Sequence, residues 1–462
     1  MKDKFTLMKN VDAYVDFGEK TGALDFRNHS FGIGGVNPRP MTAKMIEGTA
    51  KLRPGLIRIF IQEFFFIEKP DGTLDFSALD AYIEAIAKTG ADIMASICIK
   101  PPSLYPAVDE TVWRPADIGR WKRIIGEMAK RYSSDNKYVT HWGVGNEINI
   151  GEFGGCPYKI ESADDYFEYY KMTVEPILAA CPGTFVGGPS WAGVPDERNR
   201  DFFERFIGAC KREGVRLDFI CYNVYSDDPD RHVAGALTAK SIVDKFDGGI
   251  KIYVTELNIG IGNEISIEEK AYSPKRAAGL GAILYEFYKR AKFLNTFQYH
   301  LYDQFCDPGD FKPFYARARY MANHWSDEPH RLGAFDVHGR PRPQYFLYSM
   351  LYSMAVDESP ASVEGGGDLR LLASSGGKRI TLLAVNYDAD ASRDLILTPH
   401  FRNAPEGRAV LKVYRIDGEM KWNEESFELI PSEDRHVYAH SDFKFSVYVP
   451  ADSVAMAVLE YL

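Results

Sequence analysis

Two glutamates close strand-like runs in this chain. Glu147 ends Trp142-Gly143-Val144-Gly145-Asn146-Glu147, and Glu256 ends Tyr253-Val254-Thr255-Glu256. If both project into one cleft, one carboxyl can protonate a leaving oxygen while the other meets the carbon that loses it, which is what glycoside hydrolysis demands. Asn146, directly before the first glutamate, is suited to bond a sugar hydroxyl beside the reacting carbon. A single strand-end Glu could equally form a salt bridge at a rim. The pairing of Asn-Glu with Thr-Glu is what favours chemistry.

The elements that must position this pair are legible in outline. Eight β-rich runs (31–35, 56–62, 91–97, 140–147, 185–190, 219–225, 251–257 and 297–303) alternate with helical patterns near 41–53, 76–89, 116–133, 163–180, 198–213, 236–246, 274–290 and 342–355. Asp75-Phe76-Ser77 and Ser162 supply helix-start signals for the second and fourth of these. Strands alternating with helices imply a parallel sheet, and eight such units imply an α/β fold closed as a (β/α)8 TIM barrel. In such a barrel the site gathers at the C-terminal ends of the strands, where both glutamates fall. After residue 356 the runs are short, rich in Val, Leu and Tyr, and separated by Gly, Asp, Ser and Pro, which predicts a C-terminal antiparallel β-sandwich domain. The expected division is 1–25 as a segment joining the sandwich, 26–355 as the catalytic barrel, and 356–462 as the sandwich.

Hydrophobic residues at 45% and charged residues at 26% of 462 provide an ordinary globular core. The formal net charge of -10 argues against nucleic acid as a partner and against an anionic membrane surface. Met1-Lys2-Asp3-Lys4-Phe5 lacks the apolar stretch of a secretory signal, and Cys98, Cys156, Cys181, Cys210, Cys221 and Cys306 are scattered. Both point to a cytoplasmic protein with reduced thiols, or to one whose leader has been removed. Gly32-Ile33-Gly34-Gly35 and Gly187-Gly188 lack the dinucleotide fingerprint, no Walker lysine is present, and the histidines form no zinc pattern. No metal and no cofactor are expected.

The chain resembles the retaining barrel glycosidases called clan A, and within it glycoside hydrolase family 39, which includes β-xylosidases and α-L-iduronidases. The resemblance runs from about residue 30 to 460. It is carried by Leu56-Ile57-Arg58, Asp71-Gly72-Thr73-Leu74-Asp75-Phe76, Val186-Gly187-Gly188-Pro189, Asp218-Phe219-Ile220, Thr255-Glu256-Leu257-Asn258 and Gly339-Arg340-Pro341-Arg342-Pro343. It implies Glu147 as acid/base, Glu256 as nucleophile and Arg58 as the arginine that keeps the nucleophile ionised; a nearby guanidinium does lower a carboxyl pKa. Tyr225 would donate a hydrogen bond to Glu256, or serve as rim packing. The pattern departs from the family at four places. Gly145-Asn146-Glu147-Ile148-Asn149 stands where the family has Trp-Asn-Glu-Pro-Asn, Phe60 and Asn223 stand at family histidines, and Tyr299 at a tryptophan. The same chemistry on a different glycoside follows. The expected function is therefore a retaining, exo-acting hydrolase of a β-xyloside-like or related glycoside from plant or microbial polysaccharide. The alternatives are an α-L-arabinofuranosidase, a β-galactosidase-like or endo-acting enzyme, and a non-catalytic carbohydrate-binding protein. By analogy with relatives that assemble through sandwich and barrel faces, a homo-oligomer is also an expectation.

Further polar residues near the expected mouth are Asn37, Glu63, Lys100, Glu152, Trp191 and His300. Trp191 offers a stacking face for a sugar or a core ring; Glu63 could hold a hydroxyl or pair with a lysine. The long segment 303–340, with Arg317, Arg319, His324, His330 and Arg331, could narrow the pocket, bind an acidic sugar or cap a neighbouring subunit.

Overall fold

A computed structural model describes residues 8–246, 249–260, 271–319, 331–364, 369–389 and 392–462. Eight parallel strands close into a barrel: β1 (His29–Gly32), β2 (Leu56–Gln62), β3 (Asp92–Cys98), β4 (Val139–Val144), β5 (Phe185–Ala192), β6 (Phe219–Tyr225), β7 (Lys251–Asn258) and β8 (Leu294–Tyr299), with β8 returning to β1. The expected α/β barrel with a C-terminal antiparallel sheet region is thus the observed architecture. Met94, Phe219, Cys221, Tyr253 and Phe297 fill the barrel interior in one buried cluster, so it is a packed core rather than a pore.

Among the described residues, helices α1 (Ala43–Leu52), α2 (Ser77–Ala87), α3 (Ile118–Ala129), α4 (Ala163–Ala180), α5 (Arg200–Glu213), α6 (Pro229–Val243), α7 (Lys275–Arg290) and α8 (Pro343–Ser353) cover the strands. Their starts are chemically specified. The Ser162 hydroxyl accepts from the Asp165 N–H at 3.0 Å, and Asp117 accepts from the Arg120 N–H at 2.9 Å, each satisfying an otherwise orphaned donor. Helix α6 begins seven residues or so before the expected 236. Asp228 caps it by accepting from the Asp230 N–H at 2.9 Å, and Pro229 takes the first helical position, where its missing N–H costs nothing.

The N-terminal stretch is shared between two sheets of the C-terminal region. Lys9–Asp16 pairs in parallel with Leu395–Arg402 and antiparallel with Ala361–Glu364, while Gly22–Ala23 pairs with Asp357–Ser359 in the other sheet. Val11, Ala13 and Val15 sink between the sheets beside Leu371, Leu382, Leu397 and Leu411. Helix α7 carries the barrel onto this layer through small residues. A Cβ at Gly279 would lie 2.6 Å from Ile259 Cγ2 and 3.1 Å from the Tyr387 ring, and one at Gly281 3.2 Å from Val385. Across the same seam Tyr288 donates to Glu358 at 2.7 Å, and Arg370 Nε to Glu286 at 2.9 Å. Among the described residues no helix is long and apolar enough to cross a membrane.

Candidate active site

Glu147 does not sit on β4, as the run 140–147 suggests. The strand ends at Val144, and Gly145 (φ 83°) and Glu147 (φ 45°) turn the chain left-handed just beyond it. Side chains hold this turn from beneath. Tyr166 of α4 donates to the Val144 carbonyl at 2.8 Å, Tyr158 donates to the Ile97 carbonyl at 2.9 Å, and the Glu147 N–H donates to the Ser190 carbonyl at 2.6 Å. These buried hydroxyls and carbonyls are satisfied by one another, which makes the turn stiff. A non-glycine residue at positive φ costs of order 1 kcal/mol and persists where its surroundings over-determine it.

Glu256 lies on β7 itself, between two register shifts, one against β6 at Tyr222/Asn223 and one against β8 at Thr296/Gln298. Such bulges re-aim a side chain beside a site. Here they put Glu256 against Arg58 of β2, with Nη1 3.0 Å from Oε1. Arg58 is fully buried, and every one of its five N–H groups has an acceptor. Nε donates to Ser96 (3.0 Å), Nη1 to Glu256 and to the Thr255 carbonyl (3.0 Å), and Nη2 to Asn146 Oδ1 (2.8 Å) and Ser190 Oγ (3.1 Å). A guanidinium that satisfied has no freedom to leave the carboxylate. Tyr225 donates to the other oxygen, Glu256 Oε2, at 2.6 Å.

The two carboxyls are held differently. Glu256 receives a cation and a phenol. Among the described residues the Glu147 carboxyl receives only a neutral donor, Asn223 Nδ2, at 2.9 Å to Oε1. Burial and the charge on Glu256 push Glu147 up to about 8, against the pull of Asn223 and Arg58. Burial also raises Glu256, but Arg58 and Tyr225 oppose it directly. The pair therefore supports one protonated and one ionised carboxyl near neutrality, an acid beside a nucleophile or base. Glu256 is nearly enclosed, whereas Glu147 is only half-buried and reachable from outside. Phe60, Cys98, Tyr299 and Leu332, with Tyr225 against them, form an apolar cluster here, and the Phe60 ring lies 4.3 Å from the Arg58 guanidinium carbon.

Arg58, Asn146, Asn223, Tyr225 and Tyr299 gather around the two glutamates, whereas Trp191, Glu63, Lys100, Asn37 and His300 are engaged elsewhere. Asn146 is turned inward: its Oδ1 accepts from Arg58 and from Ser190 (3.0 Å), and its Nδ2 donates to the Gly154 carbonyl (2.8 Å). The partly buried Trp191 indole packs on Phe202 and Phe203 of α5, with centroids 4.5 and 5.8 Å away. Glu63 accepts from the Lys100 N–H at 2.8 Å, and burial raises it to about 8; the Lys100 ammonium instead donates to the carbonyls of Asp109 and Pro157. Asn37 donates to the Phe305 carbonyl, and His300 pairs with the Tyr302 carbonyl. His324 and His330 lie outside the described residues. Two contributors, Ser96 and Ser190, had no sequence signal of their own, and Thr255 was marked only as the neighbour of Glu256. Ser190 Oγ and Thr255 Oγ1 lie 2.9 Å apart, and Thr255 donates to Asn223 Oδ1 at 2.8 Å, so these hydroxyls orient Asn223 toward Glu147. All six cysteines are unpaired, five of them buried.

The family model described as Glycosyl hydrolases family 39 matches residues 66–247. No curated protein matches the chain by sequence. Among solved structures, a monomeric β-xylosidase from Caulobacter crescentus CB15 superposes with a TM-score of 0.75 at 17% identity, covering 98% of this chain and 100% of the other. A family 39 enzyme from Xanthomonas axonopodis pv. citri gives 0.76 at 16% identity, covering 98% of each. An α-L-arabinofuranosidase from Thermotoga maritima gives 0.61 at 14%, covering 98% and 100%. At these identities the likeness establishes a shared fold.

Proposed function

We infer, for a chain that is a glycosidase related to glycosyl hydrolases family 39, a double displacement in which Glu256 is the nucleophile and Glu147 the acid/base. The observation that carries this reading is the asymmetry of the pair: Arg58 and Tyr225 donate to the Glu256 carboxyl, and among the described residues the one side-chain donor to the Glu147 carboxyl is the neutral Asn223 amide. In the first step Glu256 attacks the anomeric carbon while protonated Glu147 delivers its proton to the departing oxygen. Because Asn223 donates to Oε1, that oxygen is an acceptor and the acid proton resides on Oε2. In the second step Glu147, now a carboxylate, takes a proton from water, which releases the sugar from Glu256. Burial is the larger cause of the raised Glu147 pKa, and loss of the Glu256 charge on glycosylation removes the repulsion added to it, so the pKa falls when a base is required.

The glycone we propose is a β-xyloside-like or related sugar, exo-cleaved. A panel of p-nitrophenyl α- and β-glycosides of xylose, arabinose, galactose, glucose, fucose and uronic acids tests it. One hydrolysed glycone, with the first-formed anomer retained by proton NMR, is the expected result. Inversion, or silence of the wild-type protein across the panel, would overturn the exo-retaining reading.

The pH profile provides a second check. The acid must be protonated in the free enzyme, so kcat/KM is expected to fall as pH rises through about 8. The nucleophile must be ionised, and its carboxyl is raised from 4.5, so the acid limb lies above the ordinary glutamate value. Glu147→Gln should abolish the alkaline limb; persistence of that limb in the variant would assign it to another group.

A further inference from the structure

The short helix Gly151–Gly154 passes directly over Glu147. A Cβ at Gly154 would lie 2.3 Å from Glu147 Oε2 and 2.4 Å from its Cβ, so only glycine lets the loop approach this closely. The next residue back, Phe153, is 51% exposed, although it stands beside a site otherwise walled by buried rings. The segment after β8 is brought onto it by a specific latch. The two oxygens of Glu152 accept the N–H groups of Ala316 and Arg317 at 2.9 Å each, Tyr315 donates to the Gly155 carbonyl at 2.6 Å, and Glu110 accepts the Glu152 N–H at 2.8 Å. The latch leaves the Arg317 guanidinium carbon 4.0 Å from the Phe153 ring centroid. Among the described residues no carboxylate is within ion-pair distance of Arg317; Glu152 attracts it at longer range while its two oxygens accept the backbone N–H groups of Ala316 and Arg317.

An acid that protonates the glycosidic oxygen stands between glycone and leaving group, so a surface touching the acid's proton-bearing oxygen on its outer side faces the leaving group. That surface here is the Gly154 backbone, and next to it in the same short helix stands the Phe153 ring with the Arg317 guanidinium stacked on it. A stacked guanidinium keeps its N–H edge free for two parallel bonds to a carboxylate. We propose that Phe153 and Arg317 form a leaving-group subsite for an aglycone that has a flat apolar face and carries a carboxylate. The proposal rests on Glu147 being the acid/base. An aromatic acid and a uronic acid sugar share this chemistry.

The test uses the full chain and the glycone that the panel identifies. Rates are compared for aryl glycosides whose nitrophenyl ring bears either a carboxylate or its methyl ester, and for the same glycone linked to glucuronic acid or to methyl glucuronate. The acid form is expected to have the higher kcat/KM, about tenfold and mainly through KM, in at least one of the two pairs. Arg317→Gln should bring that acid-to-ester ratio to about one, and Arg317→Lys should keep part of it. A preference confined to the aryl pair identifies an aromatic acid, and one confined to the sugar pair a uronic acid. Wild-type ratios near one in both pairs, or a preference that survives Arg317→Gln, would overturn the proposal while leaving the assignment of Glu147 intact. A wild-type protein that hydrolyses none of the four, with Glu147→Ala indistinguishable from it on an activated aryl glycoside, would bring down both.

Discussion

Glu256→Ala is expected to lower kcat on an activated aryl glycoside by about 100,000-fold, roughly 7 kcal/mol of lost transition-state stabilisation. Among the described residues no other carboxylate is held by Arg58 and Tyr225 to take over the attack. The substitution also leaves the Arg58 charge buried without its counter-ion. That alone costs about 3–5 kcal/mol of stability, so thermal unfolding should be followed and Glu256→Gln, which retains the volume, measured in parallel. Azide supplies the decisive readout. Entering the space vacated by the carboxylate, it should attack the same face of the sugar and give a glycosyl azide of inverted configuration. Substantial unassisted turnover in the alanine variant, in a folded protein, would remove Glu256 from the nucleophile's role.

Glu147→Ala should behave differently because it acts twice. Departure of a poor leaving group needs its proton, so cleavage of an alkyl glycoside is expected to fall by about 1,000-fold or more. A dinitrophenyl leaving group departs without help, so the first step survives and the glycosyl-enzyme accumulates for want of a base. KM should fall with kcat, and a burst of phenol should precede slow turnover. Azide here should react with the accumulated intermediate and give a glycosyl azide of retained configuration. Equal losses for good and poor leaving groups would point to a structural rather than an acid/base role. Stability should change little, since Glu147 is half-buried and gives up one hydrogen bond, that from Asn223.

Alternation of strand and helix patterns was enough to count eight units and to infer closure, because a parallel strand needs a covering helix and an open sheet leaves edges. Strand-end positions singled out Glu147, Glu256 and Tyr225, because side-chain period and barrel geometry send the C-terminal ends of strands to one face, while Arg58, third in its strand, came from the family resemblance. Local pattern misled where a short-range cap outweighed periodicity, as at Asp228-Pro229, and where a strand-like run continued into a left-handed turn, as from Val144 to Glu147. A propensity window averages over such positions and does not register a single backbone angle.

The fold class and the residue types at the strand ends follow from periodicities that short segments carry alone. The difference between the two carboxyls arises only in the folded chain. It depends on which five acceptors surround Arg58, on Ser190 and Thr255 orienting Asn223, and on Glu152 holding a backbone segment 164 and 165 residues away. Hydrogen-bond geometry and burial set those energies, and both are properties of groups brought together from separate strands, so no local stretch of chain encodes them.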